Sequence, residues 1–223
     1  MNAKKITLST IAATLLGLAS LSSHAATIFS QDFEAGLGAN ETSAGGFVLN
    51  TTGNAINGST MMGHATAYSN SSNAYYQISN LALTGNNILL SFNYAAQFET
   101  LFDGFNVKVG NSVVTPTGSS AMQYQPGTMT NSFGNPIAGQ RFFDSSSNTT
   151  GLAQFDLSAF TGSTVDILFQ FGSDVSVVSS GINLDNVVIA NEVSISNAVP
   201  EPTSFALLGL GLAGLALSRR TRA

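Results

Sequence analysis

The chain has 223 residues and a formal net charge of −5, with two histidines and no cysteine. The lack of cysteine excludes disulfides, thiolate metal centres and cysteine nucleophiles together. Lys4, Lys5, Arg219, Arg220 and Arg222 sit at the two ends, so between them Lys108 and Arg141 face twelve acidic residues, a net of −10 that argues against nucleic-acid binding.

In chain order, Lys4 and Lys5 precede an apolar run at 11–21 and the small residues of Ser23-His24-Ala25. This order predicts a signal peptide over 1–25, cleaved after Ala25 by signal peptidase. Residues 26–196 then form one domain of about 170 residues, enough for a core of its own. Gly, Ser, Thr and Asn dominate it, with apolar residues in short bursts, which favours strands and turns. Strands are expected at 27–33, 74–79, 87–95, 104–109, 152–157, 164–171 and 182–190. The clearest is 164–171. Val165, Ile167, Phe169 and Phe171 share one face, Thr164, Asp166 and Gln170 the other, and Leu168 breaks the pattern. In 87–95, Ile88, Leu90, Phe92 and Tyr94 alternate with polar Ser91 and Asn93. Gly110-Asn111 reads as a turn.

Residues 116–151 depart from this rhythm. They hold Pro116, Pro126, Pro136, Arg141 and the aromatics Tyr124, Phe133, Phe142 and Phe143. Loops this long are uncommon unless functional, and irregular strands are the competing reading. The body shows no strong helix pattern. About eight to ten short strands with alternating faces are buried best as an all-β, jelly-roll-like antiparallel β-sandwich.

Residues 197–223 read as an address. Pro200-Glu201-Pro202 is followed by an uncharged apolar run at 205–217 and by Arg219, Arg220 and Arg222. As a helix the run spans roughly 20 Å, against a bilayer core of about 30 Å, so it suits transient better than permanent anchoring in the inner membrane. The arginines place its end on the cytoplasmic side and the body across the membrane. Gly209-Leu210-Gly211-Leu212-Ala213-Gly214 matches the dinucleotide fingerprint literally. It lacks the preceding strand and the acidic residue that the fingerprint needs, and small residues of this kind suit helix packing in a membrane.

The three-part tail resembles the PEP-CTERM sorting system of Gram-negative bacteria. That resemblance implies recognition and removal of the tail by an exosortase, and delivery to the cell surface or the exopolysaccharide (biofilm) matrix. An ordinary C-terminal membrane anchor is the alternative. A second resemblance lies in the body. Residues 31–36 (Gln-Asp-Phe-Glu-Ala-Gly), 155–162 (Phe-Asp-Leu-Ser-Ala-Phe-Thr-Gly) and 181–187 (Gly-Ile-Asn-Leu-Asp-Asn-Val) are similar to the opening strand, a turn and the closing strand of extracellular jelly rolls, namely carbohydrate-binding modules and MAM-like domains. Ile182 stands where those domains often have an aromatic. This second resemblance implies a structural calcium held by Asp32, Glu34 and Asp185, with Asn186 as a fourth ligand. Gln170-Phe171-Gly172-Ser173-Asp174 resembles the Q-F-x-x-D signature of one PEP-CTERM group.

For chemistry, His64 is the one histidine outside the leader, and its setting beside Gly63 reads as a loop. Neither G-x-S-x-G nor H-E-x-x-H occurs. Tyr75, Tyr76 and Tyr124 are candidates to stack on sugar rings, with Asn73, Gln77 and Gln123 beside them, although the same tyrosines could edge the core. Tyr75 and Tyr76 are adjacent, so only one of the two can point outward from a strand. The expectation is a non-catalytic exported protein of adhesion, matrix structure or glycan binding. The alternative is a polysaccharide-acting hydrolase using two of Asp103, Asp144, Asp166 and Asp174.

Overall fold

A computed structural model describes residues 26–53, 56, 59–130 and 133–191. Eleven strands follow in order: β1 Thr27–Gln31, β2 Glu41–Ala44, β3 Val48–Asn50, β4 Met61–Gly63, β5 Asn73–Ala82, β6 Ile88–Gln97, β7 Gly104–Val109, β8 Ser112–Val114, β9 Thr149–Asp156, β10 Thr164–Gly172 and β11 Gly181–Asn191. One sheet has the order β3-β4-β11-β6-β9, with β1 also on β11; the other runs β2-β5-β10-β7-β8. Every pairing is antiparallel. The eight strands β4 to β11 divide as 4-11-6-9 and 5-10-7-8, which is the strand order of a jelly roll. The only helical element among the described residues is one 3-10 turn, Ser158–Phe160.

The period-two pattern explains the layers. In β6, Ile88, Leu90, Phe92 and Tyr94 are buried, and in β10 so are Ile167, Phe169 and Phe171. Phe92 stands between the sheets, 5.9 Å from Phe155 on its own sheet and 5.3 Å from Phe169 on the other. Leu168, the exception in the sequence pattern, lies half-buried on the outer face of its sheet, between Gln77 and Lys108.

The Gly110-Asn111 turn joins β7 to β8, with Gly110 at φ +57. Residues 116–148 contain no named strand among those described and make isolated bridges to the sheets at Pro116 and Phe143. The segment also hydrogen-bonds to β7, β9 and β10 and buries Met122, Tyr124, Met129, Ile137, Phe142 and Phe143. It is a packed cover over part of the sandwich, not an open loop.

β11 changes partner along one edge. Asn183 and Leu184 pair with β4, and Val187 to Ala190 pair with β1. The switch falls at a bulge after Asp185, where Asn186 adopts φ +50. The expected leader (1–25) and sorting tail (197–223) lie outside the described residues. Among the described residues no helix is long and apolar enough to cross a membrane.

Candidate functional site

Two places gather polar side chains, and the Gln170–Asp174 motif contributes to both. The first is the outer face of the β2-β5-β10-β7-β8 sheet. Register puts Tyr75, Gln170 and Asn106 in one row across β5, β10 and β7, with Gln77, Leu168 and Lys108 in the next. The Gln170 carboxamide is fixed at both ends. Its Oε1 accepts from Lys108 Nζ at 2.7 Å, and its Nε2 donates to Asn73 Oδ1 at 2.7 Å. Asn106 Nδ2 donates to Gln140 Oε1 and to the Arg141 carbonyl, at 3.0 and 3.1 Å. Its Oδ1 is buried without a partner. Desolvation lowers the pKa of Lys108 from its ordinary value. Tyr75 is half-buried beside this row. Asn106 and Gln170 are buried, so the row presents the Asn73 amide, an ammonium and one phenol ring at the surface, and it contains no nucleophile with a base.

The second place is one end of the sandwich, where Glu99, Asp103 and Asp174 bring carboxylate oxygens within 4.8 Å of one another. Asp103 and Asp174 are buried. Asp103 accepts from Tyr68 Oη at 2.5 Å and from the Asp174 N–H at 2.8 Å. Asp174 also accepts from the Ser176 N–H at 2.8 Å. Burial pushes the Asp103 carboxyl up to about 6; the bonds from Tyr68 and the Asp174 N–H act against this, while the neighbouring charges of Asp174 and Glu99 add to it. Glu99 is also raised, first by desolvation and then by Asp174. Three carboxylates this close form a donor set for a hard cation, and equally a set that retains a proton.

His64 lies outside any named strand, just after β4, but it is not a surface residue. It is 3 % exposed and packs edge-on against Phe47 and Phe171, with ring centroids 4.9 and 4.8 Å away. Its Nδ1 accepts the Ile182 N–H at 3.2 Å. A triad histidine needs Nδ1 to donate to a carboxylate, so this ring cannot serve as that base. Burial lowers its pKa to about 4, so it is neutral at physiological pH.

The residues expected to hold calcium are close in part. Asp32 and Glu34 are exposed. Asp32 accepts from the Glu34 N–H at 3.2 Å. Glu34 binds Thr60 through its N–H and hydroxyl at 2.7 and 3.0 Å. Asp185 is buried and accepts from Ser59 Oγ and the Asn186 N–H, both at 2.6 Å. Glu34 and Asp185 thus reach neighbouring residues, while the Asn186 side chain is exposed. Among the described residues Asp32, Glu34 and Asp185 do not form a set of donors within 4.8 Å; Glu99, Asp103 and Asp174 do.

Of the three candidate tyrosines, only Tyr75 faces outward. Tyr76 is fully buried, stacks on Phe169 and donates its hydroxyl to Glu41. Tyr124 is buried, and its hydroxyl accepts the Val107 N–H at 2.9 Å. Neither presents a ring face to a sugar, because each satisfies its hydroxyl inside the core. Lys108, Asn106, Glu99 and Tyr68 carried no sequence signal for a site, since only the pairing of β5, β7 and β10 and the meeting of the loops bring them together. Pro200, Glu201, Pro202, Arg219, Arg220 and Arg222 lie outside the described residues.

No curated protein matches the chain. Among solved structures, it is similar to the K3 cleaved adhesin domain of Lys-gingipain from Porphyromonas gingivalis (20% identity, 75% of this chain and 100% of that one, TM-score 0.42). It is also similar to a mannan-recognising carbohydrate-binding module, TmCBM27 (8% identity, 77% and 100% covered, TM-score 0.43). A third is the CBM22-1 xylan-binding domain of Xyn10C from Paenibacillus barcinonensis (12% identity, 76% and 97% covered, TM-score 0.37). Residues 198–220 match the family model of the PEP-CTERM protein-sorting motif. The chain therefore carries that sorting motif, and with it the mark of an exported protein.

Proposed function

We propose that the exported domain is a non-catalytic surface or matrix protein that contacts polysaccharide through the outer face of its β2-β5-β10-β7-β8 sheet. An exosortase would process the tail after transient retention in the inner membrane. The observation that carries the reading is the hydrogen-bonded row Asn73–Gln170–Lys108 beside the outward ring of Tyr75. An exposed amide held in place by Gln170, an ammonium and an amphipathic ring are groups that recognise sugar hydroxyls and the apolar face of a pyranose. The hydrolase reading is weaker, because the closest carboxylates, Asp103 and Asp174, are 0% and 2% exposed and cannot reach a glycosidic bond. A glycan array, followed by titration calorimetry with the best oligosaccharide, tests the proposal. Tyr75→Ala and Lys108→Ala are each expected to weaken binding about tenfold, the loss of one contact of about 1.4 kcal/mol. An array at background for the parent protein would sink it.

The same reading keeps a structural calcium at the joined ends of β1 and β11. Asp185 is buried with two hydrogen bonds, and Glu34 binds the adjacent segment. Calcium added to chelator-stripped protein at about 100 times its dissociation constant is expected to stabilise the fold by about 2.7 kcal/mol. The gain should vanish in Asp185→Asn. A melting temperature indifferent to calcium removes the ion from the account.

A further inference from the structure

The end of the sandwich around residues 98–103 exposes more apolar surface than its packing explains. Leu101, Phe133, Val175, Val177 and Val178 are all exposed, five of the eight large exposed hydrophobics among the described residues. They come from three loops: β6 to β7, β8 to β9 and β10 to β11. The loops are tied together. Asn135 Nδ2 donates to the carbonyls of Phe102 and Gly172 at 2.7 and 3.0 Å, and the Phe102 and Phe133 rings are 6.0 Å apart. Leu101, Phe133 and Val177 hold φ of +71, +25 and +49. Bulky residues rarely take that conformation, which strains the backbone. Here no burial of the side chain offsets it.

Beside this surface lies a cleft of about 370 Å³, lined by Phe98, Glu99, Thr100, Val177 and Val178 among others. Two of its polar atoms, Glu99 Oε2 and Thr100 Oγ1, are buried without partners. An unanswered carboxylate oxygen and hydroxyl call for a donor from outside. The charge around them selects its kind. Glu99 adjoins Asp103 and Asp174, and the described residues hold two cations, Lys108 and Arg141, against this excess of carboxylates. The exposed apolar side chains of its walls are Val177 and Val178, while Phe98 is almost wholly covered, which suits a peptide better than a sugar ring.

We infer that this loop end is a docking surface for a partner protein, which lays an apolar segment over Leu101, Val177 and Val178 and inserts an arginine or lysine beside Glu99. The surface is separate from the outer-face row around Tyr75, so the two readings fail independently.

The test is selection from a displayed library of twelve-residue peptides against the exported protein, followed by fluorescence anisotropy on a selected peptide. The enriched peptides are expected to carry a basic residue flanked by aliphatic ones. Replacing that residue with citrulline or glutamine should weaken binding at least tenfold. Val178→Asp and Glu99→Gln should each do the same, with melting temperatures near the parent's. Val177→Asn suits left-handed backbone, so it is expected to hold or raise the melting temperature while weakening binding. Tyr75→Ala should leave peptide binding unchanged. Failure to enrich any peptide overturns the inference. So does a selected peptide that binds equally well after loss of its positive charge, or equally well to Val178→Asp. Oligosaccharide binding that Val178→Asp removes would assign the surface to glycan instead, and self-association removed by the same change would assign it to a second copy of this chain.

Discussion

Phe171→Ala is expected to destabilise the domain by about 4 kcal/mol, within the roughly 3–5 kcal/mol range for deleting a buried phenyl ring. Phe171 is fully buried on β10. Its ring meets His64 and Tyr68 at 4.8 Å each and Phe98 at 5.5 Å. It is therefore the common contact of the β4 end, the β4–β5 loop and the β6 end. Collapse around the cavity is limited because these neighbours are held elsewhere. His64 is fixed by the Ile182 N–H, and Tyr68 by Asp103. With about 2–4 °C lost per kcal/mol in a domain of this size, the melting temperature should drop by roughly 8–16 °C. Phe171→Leu keeps most of the volume and should cost about half as much or less. Urea unfolding should show a lower midpoint at unchanged slope. A loss under about 1 kcal/mol would mean that Phe171 is not the joint described here. The effect has a functional side, since Phe171 lies between Gln170 on the outer face and Asp174 at the loop end. Loosening it should disturb both surfaces together.

The strands that were legible in the sequence are those long enough to show their period. β1, β5, β6, β7, β9, β10 and β11 each span five residues or more, and in the longest of them alternation is anchored by Tyr76, Phe92, Phe169 and Leu184. β2, β3, β4 and β8 have three or four residues each, too few for alternation to register. The tyrosine pair shows how far parity reaches. Adjacent positions require opposite faces, and the core positions Ala74 and Ile78 decide that Tyr76 is the inward one. Tyr124 could not be settled that way, because it lies outside any strand and is buried by a covering segment. The burial of His64 was not legible for a related reason. Its own neighbours are Gly63 and Ala65, while its burial comes from Phe47, Tyr68 and Phe171, which the chain supplies from elsewhere. The Gln170–Asp174 pattern was visible as a signature, but its division between two surfaces needed the register of β10 with β5 and β7. The sorting tail needed no fold at all, since its information is the order of Pro-Glu-Pro, an apolar run and a basic end.

Two buried groups should make the stability of this domain depend on pH in opposite directions. Asp103 has a folded pKa of about 6 against an ordinary 3.8, chiefly through burial. Its neutral form is favoured by folding, so its contribution is complete below about pH 4 and is lost as pH rises through 6. His64 has a folded pKa of about 4 against an ordinary 6.5, again through burial. Its neutral form is also favoured, so its contribution is present above 6.5 and is lost as pH falls through 4. Each shift corresponds to about 3 kcal/mol at 1.36 kcal/mol per unit. The windows overlap, and in them folding releases a proton from one group while the other takes one up. The parent protein should therefore show a nearly flat melting temperature from pH 4 to 6.5 as far as these two are concerned. Glu99 adds a tilt with the sign of Asp103. Breaking the balance exposes each half. Asp103→Asn leaves His64 alone, so acidification from pH 6.5 to 4 should lower the melting temperature by roughly 6–12 °C relative to the parent's profile. His64→Gln leaves Asp103 alone, and the same acidification should raise it by a comparable amount. Calorimetric scans of the three proteins at half-unit pH steps decide the matter. Two variant profiles parallel to the parent's would show that neither group changes its protonation on folding. The balance also has a physical link, because Tyr68 donates to Asp103 and lies 5.7 Å from the His64 ring. Tyr68→Phe removes that donor, which favours the charged form of Asp103. It should raise the Asp103 pKa further and steepen the fall in stability between pH 5 and 7.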